Sequence, residues 1–470
     1  MVASIIKKWD MPKLLLGAKR NINSINIRIR AARMRLLHIS DIHFKTPDCL
    51  RPDMDPEKPY RNALLRDVKE LLRLKSVDAI LITGDIAFKG DPEEFGFAST
   101  WIEELADTVN CQLESVFTVP GNHDVDRNIC QQPLVSAVQS SISRACLGYH
   151  QEQELKKHLF DDESGAVLFS PVKAYNEFAK FYNCQIYPER PFWKQRLRMD
   201  EQTELCIYGL TSTFLSGHQN LDSRPGDLYL SPFQTSLEVN ERVINLVMSH
   251  HPPEWFLDRS SINQSLNSRS TIQLFGHEHE QRVTRDSTYM RFSAGAINPE
   301  RHGQDWRPGY NVIDLNIDKS DGKRILIIHA NLRAWQGNPE KFVSIESEKG
   351  EMFFEHTIAL PELHDEEPSI VLKQSPPEAA TSQTQVKISQ KDKVTSGETT
   401  MGDPKTRNLI YRFWKLRTSD RRLIATNLEI LSEEEWSLPE TERYSRALIR
   451  ASENALINKL SEEISKAEKK

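Results

Sequence analysis

The sequence predicts an α/β protein with layered sheets, followed by a small all-helical module. Short apolar runs, each the length of a buried strand, recur between residue 34 and about residue 360. Segments with the helical spacing of apolar residues separate several of these runs, as expected where strands and helices alternate. After a polar stretch, the last part of the chain again shows apolar residues three and four positions apart.

Composition limits the class of protein. A chain of 470 residues exceeds one compact core, so we expect two or more domains. No apolar run approaches the roughly 18 residues that a membrane span needs. The formal net charge of -6 argues against a whole-surface electrostatic clamp on nucleic acid, although a local basic patch is compatible with it. Six scattered cysteines without a C-x-x-C pair indicate a reducing compartment and no disulfides. We expect a cytoplasmic protein.

The first 33 residues carry far more basic than acidic side chains. Their apolar core is too short for a signal peptide. Met34 is followed at once by the apolar run "RLLHIS". We therefore interpret residues 1–33 as a basic N-terminal arm that the fold does not need, or as residues that precede the true start.

The first domain is expected over residues 34–362. Its predicted strands are the runs "LLHIS", "DAILITG", "SVFTVPG", "CIYGLTS", "INLVMS" and "TIQLFG", and two predicted helices lie in "RNALLRDVKELLRLKS" and "EFGFASTWIEELADTV". Residues 128–200 or so interrupt this alternation with two expected helices, which we interpret as an insertion near the site. Loops at the strand ends can carry functional residues.

The remaining chain divides into a linker and a helical module. Residues 363–404 are rich in Ser, Thr, Pro, Gln and Lys and poor in apolar groups, a composition that cannot repay the entropy of folding. Residues 405–470 show helical periodicity. Ser432 and Glu435 form a capping box, and Pro439 is typical of a helix start.

Side chains that bind transition metals follow five of the predicted strands. They are Asp41 and His43; Asp85; Asn122, His123 and Asp124; His250 and His251; and His277 and His279. Imidazole nitrogens and carboxylate or amide oxygens, presented from several strand ends, are what hydrolytic metal sites require. A single D-x-H or G-H-x-H is weak evidence, whereas five such clusters in the same local context strongly indicate a composite metal site.

The ordered motifs D-x-H, G-D, G-N-H-D, H-H-P-P and G-H-x-H resemble those of the calcineurin-like metallophosphoesterase superfamily over residues 35 to about 315. The resemblance is to the branch of cyclic-nucleotide phosphodiesterases and DNA-repair nucleases. It implies a four-layer αββα sandwich with two divalent metal ions at the strand ends, and hydrolysis of phosphoesters. We expect cleavage of phosphodiesters in nucleotides or nucleic acid, with Mn favoured and Fe or Zn as alternatives.

The same resemblance implies a role for each motif residue. One ion is bound by Asp41, His43 and His279, the other by Asn122, His250 and His277, and Asp85 bridges them. His251 is the alternative to His250. In an extended segment residues i and i+2 point to the same side, so His277 and His279 are expected to reach different ions while Glu278 turns away.

Further roles are expected around this centre. His123 resembles the histidine that contacts the phosphate and protonates the leaving group. Asp124 is expected either to orient His123 as part of the catalytic pair or only to satisfy local backbone amides. Arg127 and Arg282 are candidates for binding substrate phosphate, although a solvated arginine at a strand end is the commoner case. His38 is expected to be a core residue, and the glycines at 84, 121 and 276 to permit tight turns close to the ions.

Residues 405–470 resemble the small helical adaptor modules, death-fold-like or effector-associated, of bacterial signalling and conflict systems. The resemblance implies a protein partner and a recruited defence or signalling effector, while a helical dimerisation or docking tail is the simpler interpretation. A rival hypothesis is that the phosphoesterase fold serves only as a scaffold and that the helical tail carries out the function by binding. A missing ligand would favour that hypothesis, and none is missing.

Overall fold

A computed structural model describes residues 33–73, 76–298, 307–319, 323–363, 404–432 and 434–469. Residues 1–32 of the expected N-terminal arm and residues 364–403 of the expected linker lie outside the described residues. Predictions for these two segments therefore stay predictions.

Strands and helices alternate from Arg33 to Thr118 and again from Glu204 to Phe275. The strands are β1 (Arg33–Ile39), β2 (Ala79–Ile82), β3 (Val116–Thr118), β4 (Trp193–Arg198), β5 (Glu204–Gly209), β6 (Val243–Ser249), β7 (Ile272–Phe275), β8 (Arg282–Arg285), β9 (Met290–Ser293), β10 (Gly309–Asp318), β11 (Ile325–Gly337), β12 (Glu340–Ser344) and β13 (Phe354–Ala359). The α-helices are α1 (Lys58–Leu72), α2 (Pro92–Thr108), α3 (Arg127–Cys130), α4 (Pro133–Arg144), α5 (Tyr149–Leu159), α6 (Asp162–Phe169), α7 (Lys173–Ala179), α8 (Pro232–Thr235), α9 (Arg259–Arg269), α10 (Pro404–Lys415), α11 (Thr418–Asn427), α12 (Glu440–Glu453) and α13 (Ile457–Ala467).

Two mixed sheets organise the described part of this domain. The first has the strand order β12-β11-β10-β1-β2-β3, with β13 also paired to β11, and the second has the order β4-β5-β6-β7-β9-β8. Strands β1, β2 and β3 are parallel to one another, as are β5, β6, β7 and β9. The loops that follow these parallel strands lie at the carboxyl ends of the strands, where ligands bind in open α/β sheets.

One hydrophobic core joins the two sheets and the helices around them. Leu37, Phe117, Leu246 and Phe275, from strands of both sheets, are each 0 % exposed, and they share the core with residues of α1, α2 and α9. All six predicted strand runs are strands, and both predicted helices are α1 and α2. The expected layered α/β sandwich is confirmed.

The expected helical insertion is shorter and more broken than predicted. Helices α3 to α7 occupy residues 127–179, but Trp193–Arg198 forms β4, which pairs antiparallel with β5. Residues 134–159 of the expected insertion form the two helices α4 and α5, because the backbone is extended at Ala145 and Gly148 has a φ of +88°. Residues 193–198 of the expected insertion are therefore a strand of the second sheet.

The C-terminal helices α10 to α13 have a core of their own. Phe413, Tyr444, Ala447 and Ile464 are each 0 % exposed within it. Ser432 N–H donates to Glu435 Oε2 at 2.8 Å, as in a capping box, although the element that follows is a 3-10 helix over Glu434–Ser437. Pro439 directly precedes α12, as predicted. Across the described residues, every helix is too short or too polar to cross a bilayer.

Candidate metal centre

Three side chains from three separate loops converge behind the ends of β3, β6 and β7. Asn122 Oδ1 lies 3.0 Å from both His250 Nε2 and His277 Nδ1, and these two nitrogens are 3.2 Å apart. His250 Nδ1 lies 2.8 Å from the carbonyl oxygen of Thr83. If Nδ1–H donates to that carbonyl, the lone pair of Nε2 faces the cluster, which is the tautomer a metal ligand needs.

A second cluster lies beside the first. His279 Nε2 is 3.2 Å from Asp41 Oδ1, and His43 Nε2 is 3.9 Å from the same oxygen. Asp85 lies between the clusters, because its Oδ2 is 3.3 Å from His250 Nε2 and 3.8 Å from His43 Nε2. All seven side chains implied as ligands are thus brought together in two adjoining groups, with Asp85 in the bridging position.

Divalent cations fit these groups because several buried polar atoms have no other partner. Both ring nitrogens of His43 and Oδ1 of Asp41 are buried without a hydrogen bond. A buried polar atom without a partner costs free energy, on the order of 1–3 kcal/mol. Coordination to a cation would satisfy Nε2 of His43 and Oδ1 of Asp41, the two atoms that face the cluster.

The electrostatics of the cluster suit metal binding as well. Burial lowers the pKa of His43 to about 4 and that of His277 to about 3, so both rings are neutral at neutral pH. Burial would raise the pKa of Asp85, but the neighbouring His250 and His123 outweigh it and hold that pKa well below its usual range. Burial lowers and Asp85 raises the pKa of His250, with a net rise to about 9. Neutral imidazoles and ionised carboxylates are the forms that bind cations, so a cation at this cluster would displace the proton of His250.

The backbone of the cluster is unusual. Five of the seven residues implied as ligands have a positive backbone φ: Asp41 (53°), His43 (51°), Asp85 (52°), His277 (70°) and His279 (56°). Residues other than glycine seldom adopt this region, and such conformations concentrate at functional sites. The extended segment expected at His277 and His279 is therefore wrong, because a turn, not strand alternation, directs both rings inward. Glu278 lies outside the cluster, 3.9 Å from Arg282.

Three glycines permit the close approach of the loops. A Cβ on Gly121 would lie 2.1 Å from Asp85 Oδ1, and one on Gly276 would lie 2.2 Å from Ser40 Oγ. Gly84 combines a φ of +91° with a Cβ position 2.8 Å from His250 Nδ1. The predicted need for glycine at these positions is confirmed, since any side chain would displace a residue of the cluster.

His123 lies beside the cluster, and one of its ring nitrogens is within hydrogen-bond distance of a backbone carbonyl. Its backbone N–H donates to Asp85 Oδ1 at 2.8 Å, and its Nδ1 lies 2.9 Å from the carbonyl oxygen of Phe88. Its ring centroid is 4.8 Å from that of His43. An Nδ1–H donated to Phe88 leaves Nε2 to exchange a proton.

Asp124 makes the contacts of a structural residue. Its Oδ1 accepts from the N–H groups of Ile86 and Ala87, and its Oδ2 accepts from the N–H of Gly121, all at 2.8–2.9 Å. Burial and the neighbouring Asp85 raise the pKa of Asp124 to about 8. Of the two roles considered for Asp124, these bonds favour the satisfaction of backbone amides over the catalytic one. The carboxyl group fixes the loop that carries Asn122 and His123.

Arginines proposed for phosphate binding have protein partners. Arg127, the first residue of α3, pairs with the buried Asp222 at 2.8 Å while 42 % of its side chain stays exposed. Arg282 pairs with Glu280 at 2.5 Å. His38 is a satisfied core residue as predicted, with its ring nitrogens 3.0 Å from Thr83 Oγ1 and 3.1 Å from Asn311 Nδ2.

His251 and two aromatic residues add to the surroundings of the cluster. His251 Nδ1 is 2.9 Å from Ser212 Oγ, and its Nε2 is buried without a hydrogen bond. The ring of Trp255 is 4.0 Å from that of His277, and the ring of Phe88 stacks on His123 at 5.0 Å. Sequence reasoning missed both aromatic residues, although each lies a few positions after a site motif.

Comparison with known proteins identifies two regions of the chain. Residues 34–281 match the model of the calcineurin-like phosphoesterase family, and residues 405–466 match that of the GTPase-associated adaptor domain. The uncharacterized metallophosphoesterase-like protein YydB of Bacillus subtilis (strain 168) is 23% identical over 303 residues, which are 62% of this chain. The chain spans 58% of the length of that relative.

Similar solved structures include GAP50, described as the anchor in the inner membrane complex of Plasmodium, and a putative 5'-nucleotidase of Staphylococcus aureus. Each is 12% identical with a TM-score of 0.33; the matches cover 70% of this chain and 90% of GAP50, and 71% of this chain and 55% of the nucleotidase. Similarity at this level says nothing about what this chain binds. Because the matching family model spans more than half of the chain, the protein belongs to the calcineurin-like phosphoesterase family.

Proposed function

We propose that the protein is a dinuclear metal-dependent phosphodiesterase that acts on nucleotides or nucleic acid. The observation that carries the proposal is the convergence of Asn122, His250 and His277 within 3.2 Å, beside a second cluster reached through Asp85. Mn is the favoured metal, with Fe and Zn as alternatives, because imidazole, carboxylate and amide ligands suit all three.

Each residue then has a role in phosphoester hydrolysis. Asp41, His43 and His279 would hold one cation, Asn122, His250 and His277 would hold the other, and Asp85 lies between the two groups. Bound cations would acidify a water molecule and stabilise charge on the phosphoryl oxygens. His123, oriented through Nδ1 by the Phe88 carbonyl, protonates the leaving oxygen from Nε2. Arg127 keeps a role in phosphate binding only if substrate competes with Asp222.

Two half-buried aromatic rings support a nucleotide as the substrate. Phe88 lies against His123 on one side of the cluster, and Trp255 lies against His277 on the other. Lys45 is 4.7 Å from the Phe88 ring, so a cation accompanies the aromatic surface on that side. Aromatic faces stack on nucleobases without strong sequence preference, which fits a nucleotide or single-stranded substrate.

The test is an assay of the Mn-loaded protein on bis(p-nitrophenyl) phosphate, p-nitrophenyl phosphate, cyclic nucleotides, DNA and RNA. Asp85→Asn is expected to lower turnover of diesters by at least about 10²-fold, because it removes charge from the residue that contacts both clusters. His329→Ala is the matched control, since His329 lies on β11 and pairs with Glu355 at the surface. Absence of diester cleavage with Mn, Fe and Zn, or an Asp85→Asn variant as active as the control, would refute the proposal.

The adaptor-domain match supports a second function for the C-terminal module. We infer that α10 to α13 bind a protein partner and recruit the enzyme as an effector, with a GTPase as the first candidate in view of the matching family's name. Leu423 on α11, 49% exposed, is an apolar group available at its surface. Affinity capture with the full chain should retain a partner that the Leu423→Arg variant loses. Equal capture by both proteins would exclude this face of the module.

A further inference from the structure

The C-terminal module contacts the first sheet at the edge formed by β3. β3 is the last strand in the order of that sheet. An open strand edge offers unpaired backbone groups, and proteins commonly cover such edges with a helix or loop. Here α10 packs against the 3-10 segments Leu113–Ser115, which directly precedes β3, and Lys180–Tyr182.

At the start of β3 the contact is made by α10. The guanidinium of Arg407 lies 5.4 Å from the ring of Phe117, and Arg407 is only 3% exposed. The next residue, Asn408, donates from Nδ2 to Glu114 Oε1 at 2.5 Å. A buried arginine over an aromatic face is an attractive contact, of about 0.5–2 kcal/mol or more once desolvated.

At the end of β3 the contact runs through one intermediate segment. Thr118 N–H donates to Cys184 Sγ at 3.5 Å, and the adjacent Gln185 donates from Nε2 to Ser445 Oγ of α12 at 2.8 Å. Gln185 and Ser445 are 1% and 3% exposed. At this end, the module therefore reaches the strand edge through two adjacent buried residues, Cys184 and Gln185.

The rim of this interface is polar and charged. Lys415 pairs with Glu103 at 3.4 Å, and Lys180 lies 5.1 Å from the ring of Trp414. Ion pairs that are half exposed add little free energy. The buried contacts of Arg407 and Ser445 therefore carry the attachment more than the rim does.

The position of β3 connects this interface to the metal centre. The strand ends at Thr118, four residues before Asn122 and five before His123. These residues are an implied ligand and the proposed proton donor. A shift at the strand edge would move them directly, because the intervening residues 119–121 are buried and Gly121 has no free space beside Asp85.

We propose that the C-terminal module is an integral cover of the β3 edge that positions the loop of Asn122 and His123. Arg407 and Ser445 are the positioning residues of this interface. A partner that pulls on the module acts on the metal centre through β3, beyond its effect on where the enzyme is held. The activity readout rests on the proposed phosphodiesterase function, whereas attachment and metal affinity can be measured without turnover.

The first experiment tests attachment. A protease site is placed within residues 364–403 of the full chain, and the cut protein is passed over a size-exclusion column at low concentration. The two pieces are expected to elute together, with the Mn affinity of the uncut chain. Separation of the pieces with unchanged Mn affinity would overturn the proposal.

The second experiment compares Ser445→Arg with Asn458→Arg in the cut protein. Ser445→Arg inserts a bulky charge between α12 and Gln185, whereas Asn458→Arg adds the same group to an exposed position of α13. Ser445→Arg is expected to release the module, weaken Mn binding at least tenfold and lower kcat on bis(p-nitrophenyl) phosphate more than it raises KM. Asn458→Arg is expected to change none of these.

Circular dichroism shows whether Ser445→Arg keeps both parts folded. If it does not, Arg407→Ala replaces it, with Arg412→Ala as its control, because Arg412 lies on the same helix but pairs with Glu468 of the module. Arg407→Lys, which keeps the cation, should restore part of the Mn affinity. A folded protein that has lost the module yet retains full Mn affinity would overturn the proposal, whichever variant produced it.

Discussion

The backbone conformation and several contacts of Asp85 constrain its position in the candidate metal centre. Its φ is 52°, its carboxylate faces histidines of both clusters, and its Oδ1 accepts the N–H of His123. A residue held in a strained conformation persists only where the surrounding structure over-determines it. The identity of the side chain was readable from the motif, whereas the turn that aims it depends on the loops packed around it.

His123 carries the most specific prediction at the residue scale. His123→Ala should lower kcat by about 10²–10⁴-fold on diesters with an alkoxide leaving group, such as a dinucleotide, because that oxygen needs a proton. The loss on bis(p-nitrophenyl) phosphate should be much smaller, since nitrophenolate leaves unprotonated. Steady-state kinetics on both substrates check this. Equal losses on the two would assign His123 to phosphate binding alone.

Gly121 provides a steric prediction with an internal control. Gly121→Ala should abolish tight Mn binding and lower activity by at least about 10²-fold, because its Cβ collides with Asp85 Oδ1. Gly96→Ala in α2 meets no atom within 4 Å and should stabilise the protein by about 0.5–1 kcal/mol. Metal titration and chemical denaturation of both variants measure the contrast. An active Gly121→Ala would show that the loop relaxes at no cost to the site.

At the element scale, strands buried on both faces were easier to predict than strands with one exposed face. β1, β2, β6 and β7 are nearly continuous apolar runs, typical of parallel strands covered on both sides. β11 alternates buried and partly exposed residues along most of its 13 residues, the period-two pattern of a strand with one covered face. It is not among the six predicted strand runs. β4 was missed because its polar residues are covered by tertiary contacts.

Glu435 gives a pH prediction for the helical module. Burial would raise its pKa, but hydrogen bonds from Arg450 and from the amide of Ser432 outweigh burial and lower it to about 2. Because the pKa of Glu435 is lower in the folded than in the unfolded state, its ionisation stabilises the fold above the unfolded pKa of about 4.3. This stabilisation is lost as the pH falls toward 2. Glu435→Gln should therefore lower the denaturation midpoint at pH 7, with a gap that narrows between pH 4.5 and 3. A gap independent of pH would contradict this.

At the scale of the whole molecule, the metal centre joins the two sheets. Asp41, Asp85 and Asn122 follow strands of the first sheet, whereas His250 and His277 follow strands of the second. A cation held by these residues would therefore cross-link the two sheets. Any group that binds only the folded state stabilises it by mass action.

Metal removal should therefore lower the melting temperature of the protein. Chelation by EDTA is expected to reduce Tm, and Mn restored to about 100 times its Kd should contribute about 2.7 kcal/mol of stability. Differential scanning calorimetry in EDTA and in graded Mn measures the effect. Asn122→Ala should show a smaller response to Mn, and an unchanged response would place the cation elsewhere.

The sequence alone determined which residues could serve as ligands, because the chemistry of metal binding is written in side-chain types that follow recognisable strands. It also determined the α/β class, since continuous apolar runs have few other stable arrangements. Only the tertiary structure decided how the motifs approach one another, that Asp124 holds backbone amides, and that the module covers the edge of β3. These features depend on contacts between residues far apart in the chain, whose geometry no local pattern encodes.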